Sequence, residues 1–243
     1  MTDTADNELF SRTAMLLGRG ALEKLGAARV AVFGVGGVGG SCAEALARSG
    51  IGGIDLYDGD RVSMSNINRQ AVALHSTLGR YKADVMAERI MDINPACEVG
   101  VFKIFYMPDT ADETDLSAYD YIVDAIDAVA GKAELVVRAK AAGVKIICAM
   151  GAGDRLDPAK FAVTDIYKTE GDPLARAVRK ELRTRGVTDL KVVWSKEAPK
   201  CRGSREHSGD GSFCVPASSA FVPPACGLVL ASEVVKDLIA EFL

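Results

Sequence analysis

Several common features are missing from this sequence of 243 residues, and each absence excludes a class of protein. No apolar run is long enough to cross a bilayer. The acidic, polar start at residues 1–8 does not have the pattern of a secretory signal. There is no internal repeat and no low-complexity tract. We therefore predict a cytoplasmic protein without a membrane span.

Cys-x-x-Cys spacing is also absent, so a structural zinc site is not expected. In a reducing compartment most cysteines are small buried hydrophobic residues, and this is the interpretation that we favour. The six cysteines are Cys42, Cys97, Cys148, Cys201, Cys214 and Cys226.

The formal charge of −4 does not by itself favour a nucleic-acid partner, but the charge is unevenly distributed. Residues 176–205 contain ten Lys or Arg against three acidic residues, so this segment carries +7 and the remainder −11. A basic segment on an acidic body is typical of a surface that binds a polyanion.

Apolar strand patterns alternate with helical patterns, which predicts an α/β fold with a doubly wound, mostly parallel, Rossmann-like sheet. We predict a single domain over residues 1–243. Residues 9–150 form its nucleotide-binding part, and residues 151–243 form a C-terminal α/β elaboration. The predicted strands are 30–35, 52–58, 97–104, 120–124, 144–148, 160–168 and 190–194. The predicted helices are 38–49, 80–93, one ending near 142, a basic one from Pro173 to about 185, and one from Pro223 to about Phe242, after a long loop at 198–218.

A glycine-rich loop follows the first strand and opens a helix. It contains Gly34, Gly36, Gly37 and Gly39. Such a loop lets the backbone approach phosphate at the positive end of the helix. Asp58 lies 19 residues past Gly39, where a carboxylate accepts hydrogen bonds from ribose hydroxyls. A nucleotide site is predicted, although the motif alone leaves a dinucleotide and ATP both open.

Polar side chains after the second strand favour a triphosphate. Asn66, Arg69 and Gln70 lie there, and Lys82 begins the next helix. Arg69 can bind phosphate in a bidentate way, and Lys82 can act as a point charge. The alternatives are that Arg69 pairs with Asp60 and that Lys82 is a solvated helix residue.

Asp124 and Asp127 end the fourth predicted strand, at the edge where an open α/β sheet binds its ligand. Asp127 is a candidate ligand of Mg²⁺ on the phosphates. The alternative role for Asp127 is the N-cap of the following helix.

Together these motifs resemble the ubiquitin-activating-type adenylating family. They are Gly34-x-Gly36-x-x-Gly39, Asp58-Gly-Asp60-x-Val-x-x-Ser65-Asn66-x-x-Arg69-Gln70, Lys82 and Asp124-x-x-Asp127. The resemblance implies that Asp58 binds ribose, that Asn66, Arg69 and Lys82 bind phosphates, and that Asp127 serves the metal. It further implies a homodimer in which Arg12 reaches into the partner subunit's ATP site.

Motifs in the C-terminal third resemble the tRNA threonylcarbamoyladenosine dehydratase branch of that family. They are Gly151-Ala-Gly-Asp-Arg-Leu-Asp157-Pro, Lys168-Thr-x-x-Asp172-Pro173-Leu and Val192-Val-Trp-Ser195-x-Glu197. The segment Ser212-Phe-Cys214-Val-Pro departs from the usual pattern of that branch. The resemblance implies ATP-dependent adenylation of a threonine carboxylate on tRNA, release of pyrophosphate, and ring closure with release of AMP. A monovalent cation and a sulfur-transfer-type protein partner are further candidates.

The basic segment then has a predicted use in binding tRNA. Arg176, Arg179, Lys180 and Arg183 recur at helical spacing and share one face, close in sequence to Lys200 and Arg202. A solvated helix face is the alternative. A thiol relay through Cys201 or Cys214 also stays open, because basic neighbours lower the pKa of a thiol.

Two rival functions share the predicted nucleotide loop. One is adenylation of the C-terminus of a ubiquitin-like sulfur-carrier protein, whose adenylators usually carry the zinc cysteines that are absent here. The other is a nucleotide-sensing or NAD-binding module without adenylation, against which Asn66, Arg69, Gln70 and Lys82 count.

Overall fold

A seven-stranded sheet forms the centre of the molecule, for which the computed structural model describes residues 8–200 and 216–243. The strand order is β3-β2-β1-β4-β5-β7-β6. The strands are β1 Arg29–Phe33, β2 Gly53–Tyr57, β3 Glu98–Phe102, β4 Tyr121–Asp124, β5 Lys145–Ala149, β6 Phe161–Asp165 and β7 Lys191–Ser195. Every neighbouring pair is parallel except β6 and β7. The predicted doubly wound, mostly parallel sheet is confirmed.

Helices cover both faces of the sheet. They are α1 Ser11–Leu17, α2 Arg19–Ala27, α3 Gly39–Arg48, α4 Lys82–Ile93, α5 Val129–Ala141, α6 Pro173–Thr184 and α7 Val222–Leu238. Alternate residues of β1 enter two separate hydrophobic cores: Val30 and Val32 pack with α2, α3, α4 and α7, while Ala31 and Phe33 pack with α5 and α6. Burial on both faces explains why the parallel strands are continuously apolar.

The C-terminal strands extend this same sheet. β7 pairs with β5 in parallel, and β6 then returns antiparallel beside β7 as the edge strand. The strand predicted at 160–168 ends earlier, because Asp165 accepts a hydrogen bond from the Tyr167 N–H and caps the 3₁₀ turn Ile166–Lys168. The final helix ends at Leu238, before its predicted end, and a separate 3₁₀ turn covers Ala240–Phe242.

The direction in which successive strands are added to the sheet reverses at β1 and β4. This reversal determines where a ligand can bind. β2 lies on one side of β1 and β4 lies on the other, so the connections that leave β1 and β4 diverge. A crevice at this position is the usual ligand site of an open α/β sheet. In the described residues, no helix is both long enough and apolar enough to span a membrane.

Candidate active site

A cavity of about 460 Å³ opens at the carboxyl ends of β1, β2 and β4. Its volume lies within the range of small-molecule sites. Most of the residues predicted to bind nucleotide line it: Gly34, Gly36, Gly37, Asp58, Asp60, Asn66, Arg69, Gln70, Lys82 and Asp127. Segments distant in the sequence therefore meet at one site.

The glycine loop allows close backbone contacts at the base of this cavity. A Cβ atom on Gly39 would lie 1.8 Å from the Gly34 carbonyl oxygen, and one on Gly34 would lie 2.7 Å from that of Ala125. Gly34 also has a φ of +88°, which disfavours other residues. Gly39 begins α3 without lining the cavity, so its contribution is to let the turn close.

Asp58 holds the glycine loop from the end of β2. Its carboxylate accepts hydrogen bonds from the Val35 N–H at 2.6 Å and from the Asp60 N–H at 2.8 Å. Burial raises the pKa of Asp58, while the Val35 N–H and the nearby Lys82 act in the opposite direction. Each carboxylate oxygen retains a lone pair, so Asp58 can still accept from a ribose hydroxyl.

Lys82 is a buried cation rather than a solvated helix residue. Its side chain is 7% exposed, and its Nζ donates to the Asp60 carboxylate at 2.7 Å. Asp60 is half exposed, with 52% of its side chain accessible. The ammonium group is therefore fixed at the cavity wall with donors left for an anion.

Arg69 is held by neutral oxygen atoms. It donates to the Ser65 carbonyl at 2.9 Å and to the Asn68 side chain at 2.8 Å. In the described parts of the chain no carboxylate pairs with it, so the alternative pairing with Asp60 is not observed. Burial lowers the pKa of the Arg69 guanidinium. This direction indicates a cation whose loss of hydration is not offset by a neighbouring carboxylate.

Asn66 and Gln70 complete the polar wall. Asn66 uses its Oδ1 atom to accept from the Ser63 N–H at 3.1 Å, which leaves its amide nitrogen as a donor. The Oε1 atom of Gln70 is buried without a hydrogen-bond partner among the described residues. A buried amide without a partner is costly in a folded protein and is expected where a ligand completes the site.

A cluster of buried aromatic rings lies at one side of the cavity. Phe33 and Tyr57 stack with ring centroids 4.3 Å apart, and Tyr106 meets Phe33 edge-on at 5.0 Å. All three line the cavity. These three rings are almost fully buried, whereas Phe105, which also lines the cavity, is 60% exposed. The cavity therefore has an apolar side next to a cationic one, which suits a molecule with a planar base and a phosphate chain.

The aspartates at the end of β4 and just after it have different environments. Asp124 is fully buried and pairs with Lys132 at 2.8 Å, whose Nζ also donates to the Ala149 carbonyl at 3.0 Å. Asp127 is exposed at the cavity, and the N-cap of α5 is Ala128, without a side-chain cap. The alternative that Asp127 caps this helix is therefore not observed.

Residues 10–241 match the ThiF family. The chain belongs to the ThiF family. A Bacillus subtilis tRNA threonylcarbamoyladenosine dehydratase is 42% identical, with 96% of this chain and 95% of the relative aligned. The Escherichia coli protein of the same name is 38% identical over 96% of this chain and 94% of its own length. A molybdopterin-synthase adenylyltransferase from Escherichia coli is 28% identical over 73% of this chain and 71% of its own.

Solved structures agree with this sequence relationship. The Escherichia coli tRNA N6-threonylcarbamoyladenosine dehydratase in complex with ATP superimposes with a TM-score of 0.90 at 37% identity, covering 98% of this chain and 96% of that one. Its complex with AMP gives the same TM-score at 38% identity and the same coverage. The predicted family and branch are confirmed.

Other predicted site residues lie away from this ThiF-family cavity. Arg12 is exposed on α1 and does not line it. On α6, Arg176, Lys180 and Arg183 are exposed, but Arg179 donates to the Ile166 and Thr169 carbonyls at 3.1 and 2.9 Å. The guanidinium of Arg179 is therefore used within the protein.

The residues predicted in the long loop are only partly described. Lys200 is exposed and pairs with Glu197 at 2.9 Å, whereas Arg202, Cys201 and Cys214 lie outside the described residues. The thiol relay therefore stays untested.

The four described cysteines are buried, as predicted: Cys42, Cys97, Cys148 and Cys226. Burial raises the pKa of Cys97 to about 11 and that of Cys226 to about 12. It also raises the pKa of Cys42 and of Cys148. These thiols therefore remain protonated at neutral pH.

We predict that Lys132→Met lowers the free energy of unfolding by about 3–5 kcal/mol, because the Asp124 carboxylate is left buried without its cation. Denaturant titration measures the change. The double variant Lys132→Met/Asp124→Asn should regain much of the loss, since neither charge then remains. Lys140→Met on the same helix is the matched control: its surface pair with Asp189 should contribute about 1 kcal/mol or less. A loss no larger than that of the control would contradict the prediction.

Proposed function

We infer that this chain is an ATP-dependent tRNA threonylcarbamoyladenosine dehydratase. The cavity in which the glycine loop meets Asp58, Arg69 and Lys82 supports the use of ATP, and the observation that carries the choice of substrate is the similarity along nearly the whole chain to the tRNA-modifying branch. Relatives that bear this name align with nearly all of the chain. The sulfur-carrier alternative has less support, since the adenylyltransferase of that kind is more distant.

The cavity can accommodate the parts of ATP. Phe105, exposed at the cavity beside the buried rings, supplies an apolar side for the base, and Asp58 supplies an acceptor for ribose hydroxyls. Arg69 and Lys82 then face the phosphates, and the Nε2 atom of Gln70 lies beside Gly36, 3.8 Å from where a Cβ of Gly36 would be.

The reaction begins with attack of the substrate's threonine carboxylate on the α-phosphate, and pyrophosphate leaves. A nitrogen of the substrate's own urea then attacks the acyl carbon, loses its proton, and displaces AMP as the five-membered ring closes. Ring closure is intramolecular, so positioning supplies much of the rate. Arg69 and Lys82 neutralise charge that develops on the phosphates, and no protein nucleophile is required.

Mg²⁺ fits the residues at the cavity. Among the described residues no cluster of three or more His, Cys, Asp or Glu could hold a metal alone. Magnesium at nucleotide sites is typically bound by one or two carboxylates together with phosphates. Asp127, exposed at the cavity, would hold it, and the ion would supply charge neutralisation on the phosphates.

An ATP–pyrophosphate exchange assay tests the proposed function. Exchange should require tRNA that carries threonylcarbamoyladenosine and should be absent with a ubiquitin-like sulfur-carrier protein or with neither. Lys82→Met should reduce exchange by about 10²–10³-fold, since one preorganised cation is removed. Exchange with the carrier protein alone would refute the proposed substrate.

We further propose a homodimer in which Arg12 acts at the partner subunit's site. Arg12 is exposed on α1, and its neighbours Met15 and Leu16 are 86% and 83% exposed. Two large apolar side chains exposed side by side favour contact with another protein surface.

Mixed dimers test this role of Arg12. Arg12→Ala and Lys82→Met should each be inactive alone, while dimers formed by co-expression should recover about a quarter of wild-type activity, because half of the dimers contain one intact site. Differently tagged subunits verify mixing. No recovery in verified mixed dimers would exclude action across the interface.

The exposed cations of α6 are proposed to contact tRNA. Arg176, Lys180 and Arg183 are exposed, and the guanidinium of Arg183 lies 5.3 Å from the Tyr167 ring centroid. Cations in this arrangement suit the phosphates of an RNA backbone.

Charge reversal at Arg176, Lys180 and Arg183 should weaken tRNA binding. The slope of log affinity against log salt concentration should become shallower by about 2–3, because two or three phosphate contacts are lost. Salt titration of the tRNA Kd measures both effects. The control reverses Lys24, Arg48 and Arg89, which lie on α2, α3 and α4. Equal weakening by both triple variants would show that net charge, rather than this helix, is responsible.

A further inference from the structure

A buried ion pair lies outside the cavity at the start of the C-terminal extension. Arg155 and Asp172 are 4% and 3% exposed, and Nη2 of Arg155 lies 2.8 Å from Oδ2 of Asp172. Neither residue lines the cavity. Burial of such a pair is costly unless further hydrogen bonds complete it, so its partners indicate what it holds in place.

Arg155 joins three segments of the chain. Its Nε donates to the Gly151 carbonyl at 2.7 Å, and its Nη1 donates to the carbonyls of Ser195 and Glu197. Asp172 accepts from the Gly151 N–H at 3.0 Å. The three C-terminal motifs singled out in the sequence are therefore connected through a single guanidinium group.

Glu197 adds a second connection between the same segments. Its Oε2 accepts from the N–H groups of Leu156 and Asp157 at 3.0 and 2.8 Å. Lys200 and these two N–H groups lower the pKa of Glu197 to about 2. Glu197 is therefore a permanent anion under physiological conditions.

Asp154 links this region to the wall of the cavity. It adopts a φ of +57°, and its N–H donates to the Ala217 carbonyl at 2.7 Å. Its Oδ1 accepts from the Ala217 N–H at 2.9 Å. Ala152 and Gly153 precede Asp154 and line the cavity, as do Pro216 and Ser218 on either side of Ala217.

Asp172 also links the pair to the basic helix. Its Oδ1 accepts from the Ala175 N–H at 3.0 Å and caps α6, whose exposed cations are the proposed tRNA contacts. Asp172 thus caps α6, the helix proposed to bind RNA. It also pairs with Arg155, which holds the segment beside the cavity wall.

We propose that Arg155 is a positioning residue for the RNA substrate, because its pair with Asp172 fixes α6 relative to the cavity wall at Ala152–Gly153 and Pro216–Ser218. This inference rests on the proposed function. The residues assigned to ATP lie on other segments, so loss of the pair misplaces the RNA-borne carboxylate while ATP still binds.

Arg155→Lys is the primary test, because it retains the charge and loses the planar group of donors. The KM for modified tRNA should rise, or kcat fall, by about ten- to a hundredfold, as expected for a misplaced substrate. The ATP Kd, measured by equilibrium binding, should change by less than about twofold, or about 0.4 kcal/mol, since the residues assigned to ATP lie on other segments. Arg29→Lys is the matched control, because it alters an Arg–Asp pair with Asp55 that does not line the cavity.

Asp154 provides a second, independent test that spares the ion pair. Asp154→Asn keeps an oxygen acceptor for the Ala217 N–H, and asparagine tolerates a positive φ. This variant should therefore retain most of the wild-type kcat/KM for tRNA. Asp154→Ala loses the acceptor for Ala217 and should raise the KM for tRNA while the ATP Kd is preserved.

Two results would overturn the proposal. One is unchanged tRNA kinetics in both Arg155→Lys and Asp154→Ala, and the other is a parallel loss of ATP binding. If the wild-type protein binds ATP but cyclises no tRNA, the proposed function fails instead, and the two failures are thereby distinguished.

Discussion

The close backbone contact between the glycine loop and the chain after β4 is the constraint on which the site depends. Gly34 lies so near Ala125, and Gly39 so near Gly34, that a Cβ atom at either glycine would collide with backbone. This contact brings the glycine loop, which is proposed to receive phosphates, to the segment that carries Asp127. Asp58 then fixes the loop from the other side through the Val35 N–H. The cavity is thus formed by the turns that end three strands of the sheet.

Burial determines which charges of this site are available to a ligand. Lys82 is almost fully buried but has a half-exposed carboxylate partner, whereas Lys132 is enclosed with Asp124 and an additional carbonyl. The first arrangement keeps a cation at the cavity wall, and the second neutralises one within the protein. Two lysines close to the same strand ends therefore differ in availability: Lys82 lies at the cavity wall, and Lys132 is enclosed in the core.

Local sequence patterns were sufficient to predict the strands, the glycine loop and most of the charged and amide side chains that line the cavity. Gly34, Asp58, Arg69 and Lys82 follow strands or begin helices, and parallel strand ends meet at one edge of a sheet. Other contributions depend on tertiary contacts that no spacing encodes. Lys132 has the position of an ordinary helix residue, and Arg155 finds its partner 17 residues away. The buried aromatic cluster of Phe33, Tyr57 and Tyr106 beside the cavity was likewise not predicted, because apolar residues at or near strand ends are typical of any core.

The basic segment shows why counting charges is not sufficient to define a binding surface. Arg179 donates to the carbonyls of a neighbouring turn, Arg185 pairs with Glu134 and Glu181, and Lys191 pairs with Glu233 and Asp237. These cations are already engaged within the protein, and using them for RNA would leave their partners unsatisfied. The electrostatic attraction for a polyanion therefore depends on a smaller set of exposed side chains. These side chains lie on a helix that is capped by Asp172 of the buried ion pair, and we propose that this pair sets their orientation relative to the cavity.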